Sequence, residues 1–125
     1  MTKTVLIVDD VADVGALVAK MLAPEGYSVI VTQDAEEARE ICTKHSGPLD
    51  LLITDVLMPR VNGPALAEHA RSVHPRIRVL FVSAYDRGLL MDRMNLGSEA
   101  PFLLKPFSPE ELLQKVREVM GSAVE

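Results

Sequence analysis

The sequence has a single cysteine, Cys42, among its 125 residues, so no intrachain disulfide can form. A reducing compartment fits that usage. A cationic excess is missing too: 13 Lys and Arg face 18 Asp and Glu, a net charge of −5. Nucleic-acid binders neutralise phosphates with a basic face, so this balance argues against that class. It argues equally against an anionic membrane surface as partner. No run approaches the roughly 18 apolar residues of a membrane span. The apolar stretch between Met1 and Val8 ends at Asp9 and Asp10 and is too short for a secretory signal. A cytoplasmic location is therefore expected. Linkers, repeats and low-complexity stretches are absent as well, so one domain over residues 1–125, with its core at about 4–120, is expected.

What the chain does have is an alternation of two textures. Short Val/Ile/Leu-rich runs occupy Thr4–Val8, Tyr27–Thr32, Leu51–Thr54, Ile77–Val82 and Phe102–Leu104. They are of strand length and continuously apolar, the pattern of strands covered on both faces. Between them lie segments with helical spacing. Val14, Leu17, Val18, Met21 and Leu22 form one stripe, Ala38, Ile41 and Cys42 a second, and Leu66, Ala70 and Val73 a third that stops near Pro75. Asp34 is a candidate N-cap, with Glu37 as partner in a variant capping box. A fourth helix around Gly88–Asn95 has the apolar residues Leu89, Leu90, Met91 and Met94 but no clean stripe. The last helix has the fullest set of signals: Ser108 at the N-cap, Pro109 at N1, Glu111 in a capping box, and a stripe of Leu112, Leu113, Val116, Val119 and Met120. A tail, Gly121–Glu125, is expected to fray.

Five successive β-α units predict a doubly wound, flavodoxin-like parallel sheet with right-handed crossovers. In such sheets ligands bind beyond the carboxyl ends of the strands. The first strand ends in Asp9-Asp10, the third in Asp55, the fourth in Ser83 and the fifth in Lys105-Pro106. With a strand order of 2-1-3-4-5 these four ends converge. The second strand then lies at the edge, and its end, Thr32-Gln33-Asp34, offers no group of matching kind. Three carboxylates brought together repel by roughly 4 kcal/mol per pair at about 4 Å and an effective dielectric near 20. A hard divalent cation such as Mg²⁺ supplies the counter-charge. Asp55 is then a candidate nucleophile, Lys105 a cation for an arriving phosphoryl group, and Ser83 a donor to its oxygens.

The runs Val5-Leu6-Ile7-Val8-Asp9-Asp10, Leu52-Ile53-Thr54-Asp55-Val56-Leu57-Met58-Pro59 with Gly63, Val82-Ser83-Ala84 and Lys105-Pro106-Phe107 stand in order along nearly the whole chain. In this the sequence resembles the receiver domains of two-component response regulators, the CheY-like family. The resemblance implies a Mg²⁺ site made by Asp9, Asp10, Asp55 and the backbone carbonyl of Leu57. It implies phosphorylation of Asp55 by a histidine kinase or a histidine phosphotransfer protein, with Ser83 and Lys105 sensing the phosphoryl group. It also implies an aromatic switch at Phe102, a cis Lys105–Pro106 bond, and an output face over the fourth helix, fifth strand and fifth helix. Leu57 and Tyr85 fall at the family's rate-modulating positions. The downstream target is either a separate protein or a domain in a longer parent chain, and no attached output domain is expected after the fifth helix.

Other readings compete. A Mg²⁺-dependent aspartyl-phosphate phosphatase or phosphotransferase of the haloacid dehalogenase type places a second Asp two residues after the nucleophile, where this chain has Leu57. A flavodoxin-like cofactor binder needs a Ser/Thr/Gly-rich phosphate loop after the first strand, where Asp9 and Asp10 would repel a phosphate. Phe102 fits a core residue as well as a switch, and Tyr85 a surface residue as well as a pocket lid. Cys42 reads as a small buried hydrophobe. His45, His69 and His74 read as surface residues, the last two pointing in different directions on their helix.

Overall fold

The computed structural model describes residues 2–94, 96 and 100–121, with residues 91–94 described as helical backbone only. Strands β1 (Thr4–Val8), β2 (Ser28–Thr32), β3 (Leu51–Asp55), β4 (Arg78–Ser83) and β5 (Phe102–Leu104) alternate with helices α1 (Ala12–Leu22), α2 (Ala35–Lys44), α3 (Gly63–Val73), α4 (Arg87–Met94) and α5 (Pro109–Met120). All strand pairs are parallel, in the order β2-β1-β3-β4-β5. The expected topology is therefore the observed one. The expected Met91 and Met94 side chains, Asn95, and the tail beyond Gly121 lie outside the described residues.

The continuous apolar runs have a direct cause. Successive strand residues point to opposite faces. Leu6, Val8, Leu52, Val79 and Phe81 face α2 and α3, meeting Ala38, Cys42, Leu66 and Ala70, and Leu90 of α4 joins them. Val5, Ile7, Leu51, Ile53, Leu80 and Val82 face α1 and α5, meeting Val18, Leu22, Leu112 and Val116. Each large side chain so buried stabilises the fold by about 1.5–3 kcal/mol. The two-sided rule holds for β1, β3 and β4 and fails at the edges, where Val31 of β2 and Leu104 of β5 are exposed. Edge strands have one neighbour, and a short helical cover cannot span them fully.

Two stripes are narrower than expected. Leu17 and Val73 are exposed, because the sheet covers only the central part of each helix face. Helix ends follow their signals with one change. Ser108 and Glu111 form the reciprocal capping box of α5. Asp34 caps α2 by accepting the Glu36 N–H at 2.9 Å. Glu37 does not close the box on Asp34; its carboxylate takes the Thr32 hydroxyl instead, because the β2 end lies within its reach. The histidines differ from expectation too. His69 pairs with the Thr43 hydroxyl at 3.1 Å, and His74, which caps the end of α3, with the Cys42 carbonyl at 2.8 Å. Both tie α3 to α2, since His74 has left the helical path and the five-residue spacing no longer separates them. Cys42 is fully buried, as expected, and burial pushes its thiol up from the ordinary value. Among the described residues no helix is long and apolar enough to cross a membrane.

Candidate functional site

The site begins with register. Val8 pairs with Thr54, Asp55 with Val82 and Ser83 with Leu104, so four strands end at one level. The chain leaving each strand is then held to its neighbour. Asp9 N–H donates to the Thr32 carbonyl at 3.2 Å, Val56 N–H to Val82 at 3.1 Å, and Lys105 N–H to Ser83 at 2.8 Å. The Lys105–Pro106 peptide is cis, as the resemblance implied.

Asp9, Asp10 and Asp55 meet there, each able to present a carboxylate oxygen within 4.8 Å of the others. Asp9 is 2% exposed and Asp55 8%, while Asp10 is open to solvent. Lys105 reaches in from β5. Its Nζ donates to Asp9 Oδ2 at 2.8 Å and to Asp55 Oδ2 at 3.3 Å. The second oxygen of each buried acid is fixed by backbone: Asp9 Oδ1 accepts from Val11 N–H at 2.9 Å and Asp55 Oδ1 from Val56 N–H at 2.8 Å. Helix α1 itself starts without a side-chain cap.

Burial pushes the Asp55 carboxyl up from the usual carboxylate value, and the charge of Asp9 adds to that; Lys105 opposes both without cancelling them. Burial alone would depress Lys105. The hydrogen bond to Asp9 and the charges of Asp55 and Asp9 outweigh it, so its ammonium is held above the ordinary lysine value. One ammonium is thus shared between two of three carboxylates, leaving an excess of negative charge on hard oxygen donors. That donor set fits Mg²⁺.

Ser83 is 1% exposed and its Oγ accepts from Tyr85 N–H at 3.0 Å. The cap of α4 is Asp86, which accepts from Leu89 N–H, so Ser83 does not serve that helix. Leu57 and Tyr85 are 40% and 52% exposed, on the two loops that follow β3 and β4. Phe102 is half-buried, with the Arg87 guanidinium 5.2 Å from its ring centroid.

Three contributors escape a reading of the sequence alone. Thr32 ends the strand from which nothing was expected. It is buried, its carbonyl holds the Asp9 peptide, and its hydroxyl meets Glu37. The available signal is a Thr closing an apolar strand ahead of an N-cap Asp. Arg60, at φ 69°, pairs with Asp34 at 3.3 Å and links the loop after β3 to the start of α2. Gly63 stands out in the sequence as part of a motif but without a reason. A Cβ there would collide with the Asp55 carbonyl oxygen and lie 2.9 Å from Val56 Cα. Both are backbone atoms, so nothing flexible can yield. Gly63→Ala is expected to lower stability by about 1–3 kcal/mol, read from a urea midpoint. It should also weaken Mg²⁺ binding, since relief requires moving Asp55. An unchanged midpoint would refute the wedge.

The family model described as the response regulator receiver domain matches residues 5–117. The chain is 34% identical over 117 residues to the sensor kinase CckA of Brucella abortus (strain 2308), covering 94% of this chain and 12% of that protein. It is 34% identical over 119 residues to the transcriptional regulatory protein CpxR of Escherichia coli (strain K12), covering 93% of this chain and 48% of that one. The chain therefore spans about half, or far less, of the length of these relatives. The crystal structure of the receiver domain from the hybrid histidine kinase CckA superposes with a TM-score of 0.77 at 33% identity, covering 94% of this chain and 98% of that one. With a family match across nearly all of its length and the same five-stranded architecture, this chain belongs to the response regulator receiver domain family.

Proposed function

We propose that the chain is a Mg²⁺-dependent phosphoacceptor acting in the cytoplasm, with Asp55 as acceptor. The observation that carries this reading is the Lys105 ammonium shared between Asp9 and Asp55 beside Asp10. The donor is a phosphohistidine on a histidine kinase or a histidine phosphotransfer protein. A carboxylate oxygen of Asp55 attacks phosphorus, a new P–O bond forms, and the P–N bond breaks with its electron pair returning to the imidazole. Asp9, Asp10, Asp55 and the Leu57 carbonyl would hold Mg²⁺, which neutralises phosphoryl oxygens when bound. Lys105, already anchored by Asp9, stays in place to meet the incoming charge. Backbone N–H of Val56 keeps the acceptor carboxylate oriented.

After transfer, Asp55 carries added charge and three strong acceptor oxygens. Ser83 can move to donate its hydroxyl proton to one of them while its Oγ goes on accepting from Tyr85 N–H. That movement would pull the loop after β4, next to the Arg87–Phe102 pair, and bias a two-state equilibrium. The signal would pass to a downstream protein or a covalently linked domain. Incubation with Mg²⁺ and acetyl phosphate, followed by intact mass, should show one added phosphoryl group. A chain that stays unmodified with and without Mg²⁺ refutes the reading.

Leu57 and Tyr85 are expected to shield the phosphoryl group from water, because Leu57 has no polar side-chain atom to orient an attacking water and Tyr85 carries a bulky ring. Decay of the phosphorylated chain should be faster in Leu57→Asn than in wild type. Slower decay in the variant would contradict the shielding role.

A further inference from the structure

The first turns of α1, α2 and α5 carry Asp13, Glu36, Glu37, Glu110 and Glu111, beside the carboxylates of the phosphoacceptor site. Helices run antiparallel to the strands, so their last turns lie at the strand starts, and there stand Lys20, Lys44 and Arg71. Those three complement helix dipoles and need no further account. Lys3, Arg76 and Arg78 are different. Lys3 and Arg76 precede β1 and β4, Arg78 opens β4, and all three rim a cleft of about 680 Å³ at the strand starts. Among the described residues none of the three forms an ion pair. Arg78 is held by donating Nη1 to the Val119 carbonyl at 2.8 Å, so one side of the rim is fixed to the end of α5. Asp50, the one acid among the described residues that line the cleft, has Oδ2 occupied by the Thr4 N–H at 2.8 Å. The remaining lining includes the apolar Val73, Pro75 and Met120.

We infer that this cleft is a second docking site, separate from the phosphoacceptor end, for an acidic peptide segment that carries an apolar side chain. Charge and shape complementarity support it. Three cations without acidic partners gather in a chain of net charge −5, around a concavity in the size range of binding pockets. The concavity suits an inserted side chain rather than a flat bilayer. Among the described residues its lining has no Phe, Tyr or Trp on which bases could stack, and its one aromatic ring, His74, is engaged with the Cys42 carbonyl.

The test is a titration of the isotope-labelled full chain with a short peptide of alternating Glu and Leu, followed by amide shifts. Shifts should concentrate at residues 47–50, 73–78 and 119–121. The double variant Lys3→Glu, Arg76→Glu changes only exposed side chains. It should raise the dissociation constant about tenfold while leaving acetyl-phosphate modification of Asp55 unchanged. Shifts scattered over other surfaces, no shifts at all, or equal binding by the double variant would overturn the site. Tighter binding of phosphatidylglycerol vesicles or of a DNA duplex at the same residues would overturn its assignment to an acidic peptide.

Discussion

Asp55→Asn is expected to abolish Mg²⁺-dependent modification by acetyl phosphate and by beryllofluoride, read as intact mass and as a change in Tyr fluorescence. The amide has the shape of the carboxylate and can still accept the Val56 N–H. It lacks the nucleophilic oxygen and the negative charge. The same variant should be more stable than wild type near neutral pH without Mg²⁺. Burial and Asp9 raise the Asp55 carboxyl above its ordinary value of 3.8. The folded state therefore holds the Asp55 proton more tightly than the unfolded chain does. That contribution is full below 3.8 and is lost as pH rises through the raised folded value. An amide does not ionise, so it escapes the loss. Adding Mg²⁺ should raise the wild-type midpoint and move the variant less. A modified Asp55→Asn chain, or a variant less stable than wild type at every pH, would refute this account of the site.

Lys105→Met is the second large effect. It keeps the length of the stem and removes the ammonium that balances Asp9 and Asp55. Lys105 is 17% exposed at its side chain, Asp9 2% and Asp55 12%. Leaving buried acids without their partner costs about 3–5 kcal/mol, measured by urea unfolding without metal. The cost should shrink as pH falls, because protonated carboxyls no longer need the counter-charge. In wild type the lysine itself adds no slope near neutral pH. Its folded value lies above the ordinary 10.5, so its contribution is full below 10.5 and is lost as pH rises through the raised folded value. Phosphoryl uptake should slow about 10²-fold, the usual cost of one electrostatic stabiliser. An uptake rate equal to wild type would show that Lys105 is a structural counter-charge alone. A midpoint loss independent of pH would show that packing rather than charge is at stake.

Both effects depend on residues that are legible in the sequence. Asp9, Asp10, Asp55, Ser83 and Lys105 each close an apolar run, and a doubly wound sheet places ligands at strand ends. Position in that alternation, rather than residue type, singles them out. Gly63 and Thr32 are less legible for a physical reason. Gly63 matters through a backbone approach between α3 and the end of β3, and Thr32 through a carbonyl that holds the Asp9 peptide. Main-chain contacts of this kind leave little trace in side-chain chemistry. Leu17 and Val73 show the reverse failure. Helical spacing places them on apolar stripes, but the width of the sheet decides how much of a stripe is covered.

By itself the sequence determined the five β-α units, the two-sided burial of the central strands and the acids, hydroxyl and lysine at strand ends. These follow from local periodicity and from the few ways such units can pack. Only the tertiary structure decided that one ammonium serves both Asp9 and Asp55 and that Glu37 turns to Thr32. It alone brought Lys3, Arg76 and Arg78 together. Those facts depend on distances between segments remote in the chain, which register and helix placement set and no local pattern encodes.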